Sequence, residues 1–399
     1  MKMTAITSLV LFTAFCTLSN AFAEDEHWVG TWGCGPQLTE PGNRPPAPLA
    51  NSTLRQFVHV TIPGKRLRVQ FSNAYGTNAV TMNSVHVALA SGAGSGGAGD
   101  IDPATDKALT FSGKPSAVIP AGEAVWSDAF DFNLPALTNL AVSIYFGDIS
   151  ATTINGHPGS RTTSFIIRSN VVSAASMRGA AKTQHWYIIT DVDVEADASA
   201  RAAVVLGDSI TDGRGSTTDG NNRWPDDFAA RLLDNAATKN VSVLNMGIGG
   251  NGIFGGLGPS AIKRFDRDVL NQSGARWVII FEGVNDIGGG RKAADLITAY
   301  QQLAERAHAH NLRVYGATIT PFGTSFYDRG SHEAEREAAN AWIRTNKVYD
   351  AVIDFDAAAR DPEKPTVLLK AYDSGDHLHL SPAGYRAMAD SIDLKLFTQ

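Results

Sequence analysis

Apolar and polar residues alternate in several short stretches of the first half of the chain. In residues 66–71, Leu67, Val69 and Phe71 alternate with arginine and glutamine, which is the period of a half-buried β-strand. The same reasoning predicts strands over residues 53–62, 80–89, 140–146 and 185–194. Turn-rich segments separate these stretches, and none has a helical stripe. Residues 24–198 are therefore predicted to form an all-β, jelly-roll-like sandwich domain.

The pattern changes near residue 199, where short apolar runs begin to alternate with amphipathic helices. Buried strands are predicted over residues 202–206, 241–246, 277–281 and 313–318. Helical stripes are formed by Leu296, Tyr300, Leu303 and Ala307, and by Tyr385, Met388, Ala389 and Ile392. Ser381 is the expected N-cap of the second helix, with Pro382 in its first position. The alternation predicts an α/β domain with a parallel sheet over residues 199–399.

The N-terminus has the features of a secretory signal peptide over residues 1–23. Lys2 precedes an apolar stretch, and Ala21-Phe22-Ala23 matches a small-x-small cleavage site. The apolar stretch is too short to span a bilayer comfortably, and no other segment predicts a membrane span. We therefore expect a secreted or periplasmic protein. Cys16 would leave with this peptide, so Cys34 has no partner for a disulfide.

The charge of the chain narrows the choice of partner. The formal net charge is −6, and it becomes −7 when Lys2 is removed with the peptide. A mildly acidic surface argues against nucleic acid as the main partner and favours a neutral substrate. The sequence does not indicate an oligomeric state.

Four segments of the second half carry residues suited to catalysis. Gly207-Asp208-Ser209 follows the first predicted strand of the α/β domain, and the other segments are residues 245–251, 283–286 and 376–382. Each falls at a strand end or a helix start, and ligands of open α/β sheets bind beyond the carboxyl ends of the strands. We therefore expect the four segments to face one crevice.

The residues in these segments suit nucleophilic catalysis. A serine hydroxyl needs a base, and His379 is placed to be the base of Ser209, with Asp376 holding and stabilising the imidazole ring. The negative oxygen of a tetrahedral intermediate needs hydrogen-bond donors. The candidate donors are the backbone N–H groups of Ser209 and Gly250 and the side-chain amide of Asn285. No metal site is predicted, because no cysteine or carboxylate set completes one around the paired histidines.

These four segments, in this order, resemble the SGNH or GDSL hydrolase family. The matching features are Gly-Asp-Ser at Ser209, the glycine at Gly250, Gly-x-Asn-Asp at Asn285, and Asp-x-x-His at Asp376 and His379. The resemblance covers residues 202–396. It implies a three-layer, flavodoxin-like α/β fold and ester hydrolysis through an acyl-enzyme, with no metal or cofactor.

The first half of the chain resembles a bacterial and fungal subgroup in which a β-sandwich precedes the SGNH domain. The similar segments include Trp28-Val29-Gly30-Thr31-Trp32 and Arg66-Leu67-Arg68-Val69, with Arg223-Trp224-Pro225-Asp226 in the second half. That subgroup resembles carbohydrate esterases that remove acetyl groups from xylan and related polysaccharides. The resemblance implies a small ester or an acetylated polysaccharide as substrate.

Other interpretations of the sequence are open. The protein could instead be a lipase or general short-chain esterase, or a carbohydrate-binding protein with an inactive hydrolase domain. Gly247-x-Gly249-x-x-Gly252 fits a dinucleotide fingerprint, but it follows the second strand of the domain and is better explained by an oxyanion turn. Two segments, residues 157–159 and 161–163, could reach the crevice from the β domain, but a turn is the favoured interpretation. Asp208 and Asp286 are expected to brace loops by accepting backbone hydrogen bonds.

Overall fold

A computed structural model describes residues 26–92 and 97–398, so the predicted signal peptide lies outside the described residues. The described part of the first half consists of strands and two short 3-10 helices, Pro41–Asn43 and Pro103–Thr105. The strands are β1 Trp28–Gly33, β2 Gln37–Leu38, β3 Thr53–Val60, β4 Gly64–Ser72, β5 Val80–Leu89, β6 Lys107–Ala108, β7 Ala117–Ile119, β8 Ala124–Trp126, β9 Phe130–Leu134, β10 Thr138–Phe146, β11 Asn155–His157, β12 Ser164–Ile167, β13 Ala181–Thr183, β14 Trp186–Tyr187 and β15 Ile189–Glu195.

These strands form three antiparallel sheets. One sheet has the order β1-β15-β4-β8, with β9 also paired to β4, and a second has the order β13-β12-β3-β10-β5-β6, with β7 paired to β5. A small third sheet has the order β14-β11-β2. Leu67, Val69 and Phe71 on β4 are fully buried and share one core with Val58 and Val142 of the second sheet. The all-β prediction is confirmed, while the jelly-roll arrangement stays a prediction.

The prediction of one continuous strand over residues 185–194 is wrong, because the chain passes from the small sheet, at β14, to the first sheet, at β15, within this range. Ile188 has a φ of 68°, which interrupts the extended backbone between β14 and β15. The side chain of Gln56 makes two hydrogen bonds to the backbone of Tyr187, the residue before Ile188. It accepts from the Tyr187 N–H at 2.6 Å and donates to the Tyr187 carbonyl at 3.0 Å. A buried side chain thus replaces the hydrogen bonds that a continuous strand would have made.

The second half alternates strands and helices. Its elements are β16 Arg201–Gly207, α1 Ser209–Asp212, α2 Trp224–Asp234, β17 Val241–Gly247, α3 Ala261–Phe265, β18 Ala275–Phe281, α4 Val284–Gly288, α5 Ala293–Ala309, β19 Arg313–Ala317, α6 His332–Thr345, β20 Ala351–Ile353, α7 Phe355–Ala359 and α8 Pro382–Asp390. A π-helical turn, Asp266–Leu270, continues α3, and a 3-10 helix, Leu394–Phe397, follows α8.

The five strands of this half form one parallel sheet in the order β17-β16-β18-β19-β20. This confirms the predicted α/β fold class, and the order is that of a flavodoxin-like sheet. Ser381 is the N-cap of α8, accepting a hydrogen bond from the Gly384 N–H, and Pro382 opens the helix. The sequence pattern missed β20, which has only three residues and therefore shows no periodicity.

The two halves are packed closely together at β1. The Gly30 N–H donates to the Ser273 carbonyl at 3.0 Å, and a Cβ added at Gly30 would lie 2.9 Å from Leu244. A Cβ added at Gly33 would lie 2.5 Å from Met246. Glycine at both positions therefore lets β1 approach β17. Strands of the first half end at Glu195 and the parallel sheet begins at Arg201, while the domain division at residues 198 and 199 stays a prediction.

No helix within residues 26–92 and 97–398 combines the length and the apolar character that crossing a membrane requires.

A fully buried arginine ties the carboxyl ends of the parallel strands together. The Arg264 guanidinium donates to the carbonyl oxygens of Gly207, which ends β16, and of Met246, near the end of β17. It also donates to Glu282, directly after β18, at 3.1 Å. Its remaining bonds are to Asn251 and Asp268, both at 3.0 Å. All five N–H groups of the arginine therefore have an acceptor.

We predict that Arg264→Lys destabilises the fold by about 3–5 kcal/mol, because three ammonium donors cannot serve five buried acceptors. The free energy of unfolding from urea denaturation measures the change. Arg276→Lys is the matched control, since the guanidinium of Arg276 bonds only an exposed carbonyl, that of Asn311, at 2.8 Å. Equal losses in the two variants would contradict a special role for Arg264.

Candidate active site

Ser209 stands at a tight turn between β16 and α1. Asp208 is the N-cap of α1, and its side chain accepts from the Ile210 N–H at 2.9 Å. A Cβ added at Gly207 would lie 2.1 Å from Thr211 Oγ1, so the turn has no room for a larger residue. The nucleophile candidate is thereby held in the first turn of a helix, where backbone N–H groups lack intrahelical partners.

The structure brings Ser209, His379 and Asp376 together in a chain of hydrogen bonds. Ser209 Oγ lies 2.8 Å from His379 Nε2, although the two residues are 170 positions apart in the sequence. His379 Nδ1 lies 2.7 Å from Asp376 Oδ2. The other carboxylate oxygen of Asp376 accepts the backbone N–H groups of Leu378 at 3.1 Å and His379 at 2.8 Å. This aspartate therefore fixes both the ring and the backbone of the histidine.

Burial and hydrogen bonding set the protonation states of this pair. Burial lowers the pKa of His379 below 6.5, and the hydrogen bond and charge of Asp376 offset only part of that effect. Burial acts to raise the pKa of Asp376, but the hydrogen bonds from His379 outweigh it and hold the pKa below 3.8. Near neutral pH the ring is therefore neutral and the carboxylate ionised, which is the state a general base requires.

The predicted oxyanion donors surround the same cavity as the serine and histidine. Asn285 Nδ2 donates to the Asn251 carbonyl at 2.7 Å, and Tyr327 donates its hydroxyl to Asn285 Oδ1 at 2.7 Å. These two bonds fix the orientation of the amide and leave its second N–H group available. Gly250, with a φ of 70°, lines the cavity beside Asn285, in a conformation that favours glycine.

Two aspartates brace loops as predicted. Asp208 caps α1, and Asp286 accepts the backbone N–H groups of Ile253 at 2.8 Å and Phe254 at 3.2 Å. Asp286 thereby anchors the glycine-rich loop that follows the second oxyanion candidate. Burial raises the pKa of both carboxyl groups, to about 7 for Asp208.

The cavity has a volume of about 260 Å³ and is lined by both halves of the chain. The expectation that residues 157–163 form a turn remote from the crevice is wrong, since His157 and Arg161 both line it. The reason is that His157 Nε2 lies 2.8 Å from Asp212 Oδ1, at the end of α1, while its Nδ1 lies 2.9 Å from the Gly35 carbonyl. Both nitrogens of the His157 ring are therefore engaged, one by each half of the chain.

Sequence reasoning missed several residues of the cavity. Gln37, Glu40 and Asn43 line it from the segment after β1, and Arg214 lines it from the loop after α1. Tyr327 also lines it, beside its partner Asn285. These residues lie outside any motif, and packing of the two halves brings the three residues of the first half to the serine. Within residues 26–92 and 97–398, no group of three or more histidine, cysteine, aspartate or glutamate side chains could hold a metal ion.

Comparison with known proteins concerns the α/β half. Residues 205–387 match the sequence profile of the GDSL-like Lipase/Acylhydrolase family. No curated protein matches the chain.

Solved structures with a similar fold cover about half of this chain. An acetyl xylan esterase, AlAXEase, is 23% identical over 48% of this chain and 96% of its own, with a TM-score of 0.37. A GDSL-like lipase from Bacteroides thetaiotaomicron is 20% identical over 50% of this chain and 87% of its own, with a TM-score of 0.36. A carbohydrate acetylesterase family member from Sinorhizobium meliloti is 15% identical over 49% of this chain and 97% of its own, with a TM-score of 0.36.

The family profile spans the serine, the glycine-rich loop, the asparagine and the aspartate–histidine pair whose geometry is described above. The parallel sheet has the order expected of such a domain. Residues 205–387 therefore form a domain of the GDSL-like Lipase/Acylhydrolase family.

Proposed function

We propose that this protein is a serine esterase that hydrolyses short acyl esters, in particular acetyl esters of carbohydrates, through an acyl-enzyme. The observation that carries the proposal is the pair of contacts from Ser209 Oγ to His379 Nε2 and from His379 Nδ1 to Asp376, at 2.8 and 2.7 Å. A hydroxyl, a neutral base and an orienting carboxylate at hydrogen-bond distance are what nucleophilic ester cleavage requires.

In the first half-reaction, Ser209 Oγ attacks the ester carbonyl carbon while His379 Nε2 takes the hydroxyl proton. The carbonyl oxygen becomes negative, and the N–H groups of Ser209, Gly250 and Asn285 stabilise it. The intermediate collapses as His379 returns the proton to the leaving alkoxide oxygen. The alcohol departs, and the acyl group stays on Ser209.

In the second half-reaction, water replaces the alcohol. His379 Nε2 takes one proton of the water as its oxygen attacks the acyl carbon, and the same donors hold the negative oxygen. His379 then protonates Ser209 Oγ, which releases the carboxylic acid and regenerates the serine. Asp376 stabilises the imidazolium in both halves without taking the proton itself.

A second candidate is an esterase that accepts longer or more varied acyl chains. Leu257 and Phe326 line the cavity and are 55% and 53% exposed, so an apolar rim lies beside the serine. Such a rim could bind an apolar acyl chain. A series of p-nitrophenyl esters from acetate to decanoate separates the candidates, because kcat/KM falls with chain length for an acetylesterase and rises for a lipase. The exported location, secreted or periplasmic, stays a prediction from the first 23 residues.

We predict that Ser209→Ala lowers kcat for p-nitrophenyl acetate by a factor on the order of 10⁴ or more, because the nucleophile is removed. Ser116→Ala, at an exposed serine of the first half, is the control with unchanged kcat. Circular dichroism and thermal unfolding check that both variants are folded. Retained activity in Ser209→Ala would refute the assignment of the nucleophile.

We predict that kcat/KM rises with pH and reaches half of its plateau below pH 6.5, because the lowered pKa of His379 leaves Nε2 free to accept a proton above that point. Asp376→Asn removes a carboxylate that raises the pKa of His379, so this acidic limb moves to still lower pH. The same change lowers kcat by a factor of roughly 10⁴, since the ring loses its orienting acceptor. A limb that moves to higher pH in the variant would contradict the pairing.

We predict that Tyr327→Phe lowers kcat about tenfold, less than the roughly 10²–10³-fold loss expected for Asn285→Ala. The phenol hydroxyl fixes the Asn285 amide, so its loss lets the amide rotate away without removing the donor. The KM for p-nitrophenyl acetate should change little, because the donor acts on the transition state. Unchanged kcat in Tyr327→Phe would show that packing alone orients the amide.

A further inference from the structure

The walls of the active-site cavity differ in chemistry according to which half of the chain supplies them. The apolar side chains near the serine, such as Leu257, Phe326 and Leu378, come from the α/β half. Apart from Asp212 and Arg214, the polar side chains that belong neither to the triad nor to the oxyanion donors or their supports come from the all-β half: Gln37, Glu40, Asn43, His157 and Arg161. An ester also has two different ends, an acyl group and an alcohol.

Arg161 has hydrogen-bonding capacity that the protein does not use. Its Nε is buried and has no hydrogen-bond partner among the described residues. The guanidinium pairs with Asp212 only at a distance, 3.6 Å from Nη2 to Oδ2. Leaving a buried donor unpaired costs about 1–3 kcal/mol.

The backbone of Arg161 is also strained, with a φ of 51°. Residues other than glycine hold this conformation only where the surroundings impose it, and such positions concentrate at ligand sites. The side chain is 28% exposed and lines the cavity together with Ser209 and His379. Its charge adds to burial in lowering the pKa of His379, which agrees with a position close to the ring.

Asp212, the carboxylate that faces Arg161, is also bound to His157. Asp212 Oδ1 already lies at hydrogen-bond distance from His157 Nε2, at 2.8 Å. The second nitrogen of His157 bonds the Gly35 carbonyl, so this ring has no nitrogen left for a ligand. One carboxylate is thus shared by His157 and Arg161, and it lies 3.6 Å from the guanidinium.

Glu40 provides a fixed acceptor in the same cavity. Gln37 Nε2 donates to Glu40 Oε1 at 2.5 Å, and Asn43 Nδ2 donates to Glu40 Oε2 at 2.9 Å. Two amides therefore hold the carboxylate in one orientation. Glu40 disfavours an anionic ligand and Arg161 disfavours a cationic one. A neutral ligand with several hydroxyl groups suits both residues, since a hydroxyl donates to a carboxylate and accepts from a guanidinium.

We propose that Arg161 and Glu40 form a leaving-group subsite that binds the hydroxyl groups of the sugar from which the acyl group is removed. This proposal rests on the proposed esterase function. The all-β half then selects the alcohol, while the α/β half supplies the chemistry and contacts the acyl group.

The test compares two substrates that share an acetyl group. Acetylated xylan has a sugar alcohol, whereas p-nitrophenyl acetate has a leaving group without hydroxyl neighbours. In Arg161→Ala, we expect the ratio of kcat/KM on acetylated xylan to that on p-nitrophenyl acetate to fall about tenfold or more, mainly through KM, as expected for losing hydrogen bonds to a charged group. Glu40→Gln should lower the same ratio by a smaller factor. Arg168→Ala, at an exposed arginine of the same half, is the matched control.

Each outcome bears on the subsite. Equal losses on both substrates, or no loss on either, would overturn it. If Arg161→Ala unfolds at a lower temperature, Arg161→Lys provides the second measurement, since it keeps the charge and loses the planar fork, and it should lower the ratio less than alanine does.

A binding experiment separates failure of the subsite from failure of the esterase function. Calorimetric titration of the wild-type protein with unacetylated xylo-oligosaccharides needs no catalysis. We expect binding that Arg161→Ala weakens about tenfold or more, as for a hydrogen bond to a charged group. Weakened binding in a protein without esterase activity would retain the subsite and reject the function. No binding, or equal binding by both proteins, would reject the subsite even if the esterase is active.

Discussion

The geometry of the catalytic half depends on one buried cation. Arg264 lies beneath the turn that carries Ser209 and bonds the carbonyl oxygens of Gly207 and Met246, near the ends of two adjacent strands. Its Nε also bonds Asn251, the residue whose carbonyl accepts from the Asn285 amide. The turn that carries Ser209 and the side of the cavity that carries Asn285 therefore share one anchor. Removing a charge from water is costly, and the five acceptors around Arg264 are what offset that cost.

Burial also changes the pKa values of two acidic groups around Arg264, Glu282 and Asp208. Burial raises the pKa of Glu282 well above its ordinary value, and the neighbouring Asp208 carboxyl adds to the effect. Burial likewise raises the pKa of Asp208 to about 7. Burial therefore disfavours negative charge on both of these acidic groups. Asp376 differs because hydrogen bonds from His379 hold it ionised.

The sequence predicts what depends on local spacing. Asp376 and His379 are three residues apart on one tight loop, so their pairing needs no knowledge of the rest of the fold. Ser209 follows a strand that is recognisable by its apolar run, and Ser381 with Pro382 is a local signal for a helix start. These features follow from short-range geometry, and the parallel sheet follows from the alternation of strands and helices.

Other features depend on packing between distant segments, and the sequence shows no sign of them. Arg264 has the same sequence context as a surface arginine on an amphipathic helix, and nothing local shows that three strand ends converge on it. His157 reaches Asp212 only because the small sheet β14-β11-β2 is held against the catalytic half. The break at Ile188 arises because the chain passes between sheets, while the hydrophobic pattern continues through it.

The all-β half therefore lines the candidate active site and packs against the residues around Ser209. His157 and Asp212 have side chains 4% and 1% exposed, so the contact between the halves excludes water from this hydrogen bond. A hydrogen bond in such surroundings is strong and holds its geometry. Because Asp212 ends the short helix that Ser209 begins, the position of Ser209 and the docking of the all-β half constrain each other. The α/β half without this partner would lose the polar wall of the cavity and the histidine that fixes the end of α1.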